Sequence, residues 1–166
     1  MTPETLIDQW RRGLRIGQNA HYEAAKHYHR LHMALSIPTV LISALLSTAV
    51  FSTLQNSSDA QVKMLMAVLS VLTVVLTSLQ AALRLAERSE RHKTAAVQLG
   101  EVRRELEQQL VFEHRDEPTI AKLRERWNAE DRQAPTVPSR LYKRALDEVM
   151  ALGDRPQAVA APQVKT

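Results

Sequence analysis

Eight side chains that carry hydroxyl or amide groups recur at helical intervals in the least charged parts of the chain. They form two sets, the first spaced by three, four and four residues and the second by three, four and three: Ser36, Thr39, Ser43 and Ser47, then Ser70, Thr73, Thr77 and Gln80. In a helix, which turns about 100° per residue, each set lies on one face. Such groups form hydrogen bonds between closely packed membrane helices, or they line a wettable pathway in an oligomer. The spacing is compatible with both interpretations.

Two arginines and a histidine follow the second set, namely Arg84, Arg88 and His92. In one interpretation they belong to the positive charge that ends a membrane span on its cytoplasmic side. In the other they form a ring at the inner mouth of an oligomer, where they would favour anions or bind a phosphate-bearing ligand.

Four histidines precede the first polar set: His21, His27, His29 and His32. His29 and His32 have a spacing that allows two imidazoles to share a metal, but Glu23 is the only carboxylate nearby and the chain has no Cys. We therefore predict no metal site. Sensing of pH and contacts with lipid headgroups at the membrane surface are the remaining interpretations.

The residues needed for most enzyme chemistry are missing. The absence of Cys excludes disulfides and a thiol nucleophile, and the four scattered glycines exclude a glycine-rich phosphate loop. Glu87 and His92 are five residues apart, about 140° around a helix, so they do not converge on a substrate. We predict that the protein is not an enzyme and uses no cofactor.

Two long segments without a formal charge surround the hydroxyl sets. Met33–Leu54 has 22 residues and Met64–Leu83 has 20, and about 20 helical residues cross the hydrocarbon core of a bilayer. Both segments are apolar on all sides, as expected for helices in contact with lipid. The short polar loop Gln55–Lys63 between them predicts a transmembrane hairpin.

The distribution of positive charge predicts the orientation of this hairpin. Close to the ends of the two segments, two basic residues precede the first and four follow the second, whereas the loop contains Lys63 alone. The six flanking residues are Lys26, Arg30, Arg84, Arg88, Arg91 and Lys93. Because cytoplasmic flanks carry the excess of Lys and Arg, we expect both termini to be cytoplasmic.

The sequence on either side of the hairpin predicts helices, which we expect on the cytoplasmic side of the membrane. The fold class is an all-α membrane protein, in which the N-terminal and C-terminal helices form a cytoplasmic bundle below a two-helix transmembrane hairpin. Pro38 should kink or restart the first long helix, and the second should continue unbroken to about Val111. We expect four parts: an N-terminal helix at 1–32, the hairpin at 33–83, cytoplasmic helices at 84–152 and a disordered tail at 153–166.

Apolar residues at three- and four-residue intervals predict how these helices pack. The longest such stripe is Ala95, Leu99, Val102, Leu106 and Leu110, and shorter ones include Leu6, Trp10 and Leu14, then Ile120, Leu123 and Trp127. A proline-containing linker at 134–138 separates the last two helices.

A net charge of +4 attracts polyanionic partners, which are either anionic lipid or nucleic acid. Basic residues are interleaved with glutamates throughout residues 84–148, and no nucleic-acid-binding motif is present. Attraction to anionic lipid headgroups accounts for the charge more simply. We expect membrane lipids as partners and no nucleic acid.

The junction after the second apolar segment resembles that of the SLATT family. The resemblance covers about residues 10–115 and depends most on Leu79-Gln80 and on the charged segment Glu87–His92. SLATT proteins are two-transmembrane effector modules associated with bacterial enzymes that make nucleotide second messengers and with their sensor domains. This resemblance implies an effector of the bacterial inner membrane that forms homo-oligomers and permeabilises the membrane in antiphage defence.

The resemblance also implies a separate signalling partner, a nucleotide synthase or polymerase-like enzyme. We expect no fused nucleotide-sensing domain, so either the cytoplasmic helices themselves respond to a nucleotide or a partner protein holds the hairpin inactive. A passive membrane anchor or scaffold that recruits a cytoplasmic enzyme is the main alternative. A phage-type holin is a weaker one.

Overall fold

The protein is all-α in the parts that the structure describes. The computed structural model describes residues 3–55, 60–111 and 117–151, and these contain helices and no strand. The helices are α1 (Pro3–Gln55), α2 (Ala60–Leu83), α3 (Leu85–Val111), α4 (Glu117–Gln133) and α5 (Ser139–Ala151). The predicted fold class of two long membrane-capable helices in an all-α chain is confirmed. The predicted tail at 153–166 lies outside the described residues.

The chain divides into two compact units. Among the described residues, 24–55 with 60–92 form one, which we call the hairpin unit, and 3–23 with 93–111 and 117–151 form the other, which we call the bundle unit. The division of the chain into four parts stays a prediction.

Helix α1 continues through Pro38, so of the two outcomes expected there, a kink or a restart, the restart does not occur. A proline removes one backbone N–H donor and crowds the preceding turn. Within a membrane such a helix is retained when neighbouring groups satisfy the backbone atoms that the proline leaves exposed. The N–H that Pro38 lacks would bond to the carbonyl of Ala34, four residues earlier. In the same turn, the carbonyl oxygen of Leu35 accepts hydrogen bonds from Thr39 Oγ1 at 2.7 Å and Gln80 Nε2 at 3.1 Å.

The second long helix is interrupted at Arg84, which corrects the expectation of an unbroken helix to Val111. Arg84 has a φ of 46°, in the left-handed region that residues with a Cβ rarely adopt. Hydrogen bonds continue across it, from Arg84 N to Gln80 O at 3.2 Å and from Arg88 N to Arg84 O at 3.0 Å. Arg84 thus separates α2 from α3 by a local distortion rather than a loop.

The hairpin unit packs α1 against α2 and the start of α3 in antiparallel fashion. Gln80 contacts residues 35–39, whereas Ser89, farther along the chain, contacts the earlier Ala25. Both α1 and α2 contain segments long and apolar enough to cross a membrane, and neither segment has a buried residue. The helices extend past the apolar segments, because α1 reaches Gln55 and α2 begins at Ala60, so the connection is shorter than predicted.

The bundle unit has a hydrophobic core at the meeting point of α1, α3 and α4. The core residues are Ile7, Leu14, Leu99, Val102, Leu106 and Leu123, with Trp10, Leu110, Ile120 and Trp127 packed against them. The predicted stripe on α3 is confirmed, since all its members are buried or packed on this core. The rings of Trp10 and Trp127 meet edge to face at a centroid distance of 6.4 Å.

Ion pairs also join α4 to α3. Arg126 lies 2.5 Å from Glu105 Oε1 and 3.0 Å from Glu101 Oε2. The hydrogen bond to Glu105 raises the pKa of Arg126 above its usual value. Both carboxylates lie one turn apart on α3, so a single guanidinium bridges them.

Candidate functional site

Gln80 connects the two apolar helices of the hairpin unit. Its Nε2 donates hydrogen bonds to the Leu35 carbonyl at 3.1 Å and to Thr39 Oγ1 at 2.8 Å. Its Oε1 accepts a hydrogen bond from Ser36 Oγ at 3.3 Å. Three of the eight predicted polar side chains therefore meet at one point between α1 and α2.

The other five polar side chains bond to the backbone of their own helix. The donors are Ser43, Ser47, Ser70, Thr73 and Thr77, each bonded to the carbonyl four residues earlier at 2.8–3.0 Å. Each hydroxyl hydrogen is thereby satisfied within its helix, as a hydroxyl surrounded by lipid requires. The oxygen atoms keep the capacity to accept a further hydrogen bond.

These five hydroxyls differ in exposure. Ser43 and Thr73 are half-buried, whereas Ser47, Ser70 and Thr77 lie on the exposed surface of the hairpin. Large apolar side chains on the same two helices are exposed as well, among them Leu45, Val71 and Val74. The described part of the hairpin thus presents polar groups outward within an apolar surface, and their role in pore lining or helix packing stays a prediction.

The three predicted inner-mouth residues have different surroundings. Arg84 has a side chain that is 72% exposed, and its Nη1 lies 3.6 Å from Glu87 Oε2. Glu87 also accepts a hydrogen bond from Arg91, so this carboxylate is shared by two arginines. Arg88 is exposed, whereas His92 is 2% exposed. His92 is therefore not presented at the surface beside the two arginines.

His92 belongs to a contact that sequence reasoning missed. Its ring stacks on Tyr28 at a centroid distance of 5.4 Å and an interplanar angle of 14°. Nearby on the same helices, Ser89 Oγ donates a 2.9 Å hydrogen bond to the carbonyl of Ala25. In the sequence, the feature that points to this contact is the pair of alanines at 24 and 25. Small residues allow two helices to approach closely, which brings Ser89 to a backbone carbonyl.

The four clustered histidines of the sequence have separate environments. His27 meets the edge of Tyr28, His32 Nδ1 lies 3.3 Å from Ser36 Oγ, and His29 is exposed. His21 is buried in the bundle unit. Among the described residues, no group of three or more His, Asp or Glu side chains is arranged to hold a metal ion.

We expect the burial of His21 to make the bundle unit less stable in mild acid. Burial lowers its pKa from the usual 6.5, and Asp131 opposes this shift without reversing it. The unfolded chain therefore binds the proton more readily, and stability falls as the pH decreases through about 6.5. His21→Gln should reduce the loss of thermal stability between pH 7.5 and 5.5, as measured by tryptophan fluorescence of the full chain in detergent.

The matched control for this prediction is His29→Gln, which removes an exposed imidazole from the same helix. The control should retain the full loss of stability between the two pH values. An equal loss in His21→Gln and the unmodified protein would contradict the prediction.

Comparisons with known proteins identify one family. Residues 7–145 match the family model described as "SMODS and SLOG-associating 2TM effector domain family 4", SLATT_4. No curated protein and no solved structure matches the chain significantly.

The family match and the geometry of the hairpin agree. A family of two-transmembrane domains requires two spans, and α1 and α2 each contain one that is long and apolar enough. The match covers most of the chain and confirms the resemblance seen at the junction after α2. The chain is thus a membrane protein that belongs to SLATT family 4 of two-transmembrane effector domains.

Proposed function

We propose that this chain is an effector of the bacterial inner membrane that assembles into oligomers and permeabilises the membrane when a separate signalling system activates it. The description of its family names an effector domain associated with SMODS and SLOG. We place both termini in the cytoplasm, because Lys and Arg flank the hairpin on that side. The proposal includes no catalytic step.

The single observation that supports the proposal most is the set of exposed hydroxyls on the hairpin. Ser47, Ser70 and Thr77 lie on an apolar surface and do not contact the other helix through their hydroxyl hydrogens. One hairpin cannot enclose a conduit, so a polar pathway needs several protomers. Ser70 and Thr77 are two helical turns apart on α2 and would present their oxygens to a neighbouring copy or to water.

The arginines that follow α2 fit the same proposal. Arg84 and Arg88 are exposed on the cytoplasmic side of the span in the proposed orientation. In an oligomer they would form a positive ring, which would favour anions. The buried His92 is not included in this ring.

A scaffold that recruits a cytoplasmic enzyme is the second candidate, and a specific observation favours it. Gln80, Ser36 and Thr39 hold α1 and α2 together within one protomer, which is a packing role. If all the hydroxyls serve packing, the hairpin anchors its bundle unit without conducting ions.

The test follows the membrane potential during infection. Cells that carry this gene with its genomic neighbours are challenged with phage while a voltage-sensitive dye reports the potential. We expect depolarisation before lysis, and no early depolarisation in cells that carry the neighbours without this gene. An intact potential in the complete system, with the protein present in the membrane, would contradict permeabilisation and favour the scaffold.

A double variant separates the two candidates. Ser70→Leu with Thr77→Leu replaces exposed polar groups by bulky apolar ones, and we expect it to reduce depolarisation at least tenfold at equal protein level. The control is Val71→Leu with Val75→Leu, which alters exposed positions of α2 that are already apolar. If both double variants depolarise cells like the unmodified protein, the exposed hydroxyls have no part in the pathway.

A further inference from the structure

The bundle unit contains an open cavity of about 460 Å³ that the membrane function does not require. It lies where α1, α3 and the end of α4 meet the segment 134–137 that leads to α5. Its volume falls within the range of about 300–1,000 Å³ that is typical of small-molecule sites.

Two glycines on α1 shape one wall of this cavity. A Cβ atom at Gly13 would lie 3.3 Å from Cη2 of Trp127, and one at Gly17 would lie 3.2 Å from Cδ1 of Leu99. The indole of α4 and the leucine of α3 can therefore approach the α1 backbone directly. Both glycines, Leu99 and the half-buried Trp127 belong to the lining of the cavity.

The polar groups that line the cavity favour a cationic ligand. They belong to His21, Asp131, Thr136 and Tyr142, and the lining includes no Lys or Arg. The carboxylate of Asp131 is thus the only formal charge in the lining at neutral pH. Burial lowers the pKa of His21, which keeps the imidazole neutral and removes a charge that would repel a cation.

We infer that this cavity binds a small planar aromatic cation, with its ring against Trp127 and its protonated nitrogen toward the Asp131 carboxylate. An indole face attracts cations, and a charge-assisted hydrogen bond to a carboxylate orients the nitrogen. A phosphate-bearing ligand does not suit the lining, because it would face a carboxylate without a compensating base. This inference does not depend on the proposed membrane function.

Three probes of nearly equal shape test the charge preference. Benzamidine is cationic, benzamide is neutral and benzoate is anionic, and all three have a planar ring with a planar head group. Binding is followed by tryptophan fluorescence of the full chain in detergent, in a Trp10→Phe background that leaves Trp127 as the only indole. Circular dichroism verifies that this variant is folded.

We expect benzamidine to quench the fluorescence in a saturable manner, benzamide to bind more weakly and benzoate not to bind. Asp131→Asn should raise the Kd of benzamidine about tenfold, since it removes the charge and keeps the shape. Asp147→Asn is the matched control, because Asp147 belongs to α5 and is not part of the cavity lining. It should leave the Kd unchanged.

Three outcomes would overturn the inference. One is equal binding of benzoate and benzamidine, which would indicate partition into the micelle or an apolar site without charge preference. The second is an equal effect of Asp131→Asn and Asp147→Asn. The third is absence of any saturable benzamidine binding to the folded protein.

Discussion

Leu14→Ala is expected to lower the free energy of unfolding of the bundle unit by about 3 kcal/mol. Leu14 is 1% exposed and belongs to the core formed with Leu99, Val102 and Leu123. Truncation removes three buried carbon atoms and leaves a cavity between helices that are far apart in sequence. Because the surrounding side chains come from α1, α3 and α4, they cannot all close the gap without moving the helices.

The measurement uses denaturant unfolding of the full chain in detergent, followed by tryptophan fluorescence. Trp10 and Trp127 both pack against this core, so the signal reports on the bundle unit rather than on the hairpin. Leu6→Ala is the matched control: it is the same truncation on the same helix, two turns earlier, at a side chain that is 38% exposed. The control should cost about 1 kcal/mol or less, because an exposed leucine loses little buried area. Equal costs for the two variants would contradict the assigned core.

Gln80→Leu is expected to destabilise the helical hairpin by about 1.5 kcal/mol. The substitution keeps a side chain of similar length and removes the amide that contacts Leu35, Ser36 and Thr39. The Leu35 carbonyl, in the turn before Pro38, would lose its donor from the other helix. In an apolar environment water does not replace that donor, so the substitution weakens the contact between α1 and α2.

The chain itself offers a direct measurement, because it has no Cys. Cysteines introduced at Thr48 and Lys63, near the turn of the hairpin, can carry a donor and an acceptor fluorophore. Energy transfer during an SDS titration then follows the separation of α1 and α2. Thr77→Val is the control, since it removes a hydroxyl that bonds only to the backbone of its own helix at 2.8 Å. A Gln80→Leu hairpin that separates at the same SDS fraction as Thr77→Val would refute the proposed role of the amide.

Helical periodicity predicted more of the packing than of the polar contacts. The stripe from Ala95 to Leu110 is on the core side of α3 as expected, because the apolar face of an otherwise polar helix is most stable when it is buried against the core. The hydroxyl sets also lie on helices as predicted. Periodicity did not distinguish Gln80, which joins the two helices, from Thr77, which bonds to its own backbone.

The sequence pattern also did not predict two local features of the backbone. Nothing in the composition around residue 84 predicts a break, since left-handed φ values usually occur at Gly, Asn or Asp and this residue is an arginine. Conversely, Pro38 predicts a kink or a restart, and α1 does not restart there. In both cases the residue type alone does not determine the local backbone.

The arrangement of charge and apolar residues along the chain predicts the membrane assignment, which the family match supports. Two uncharged segments of about 20 residues match the thickness of the hydrocarbon core of a bilayer, and both lie in helices that are long and apolar enough to cross it. The identity of the interhelical contacts, the burial of His92 against Tyr28 and the cavity beside Trp127 require the folded helices. These features join residues tens of positions apart, and their spacing in the chain carries no signal of which pairs will meet. The positive charge at the hairpin flanks is a local property, whereas a hydrogen-bond partner is a property of the whole fold.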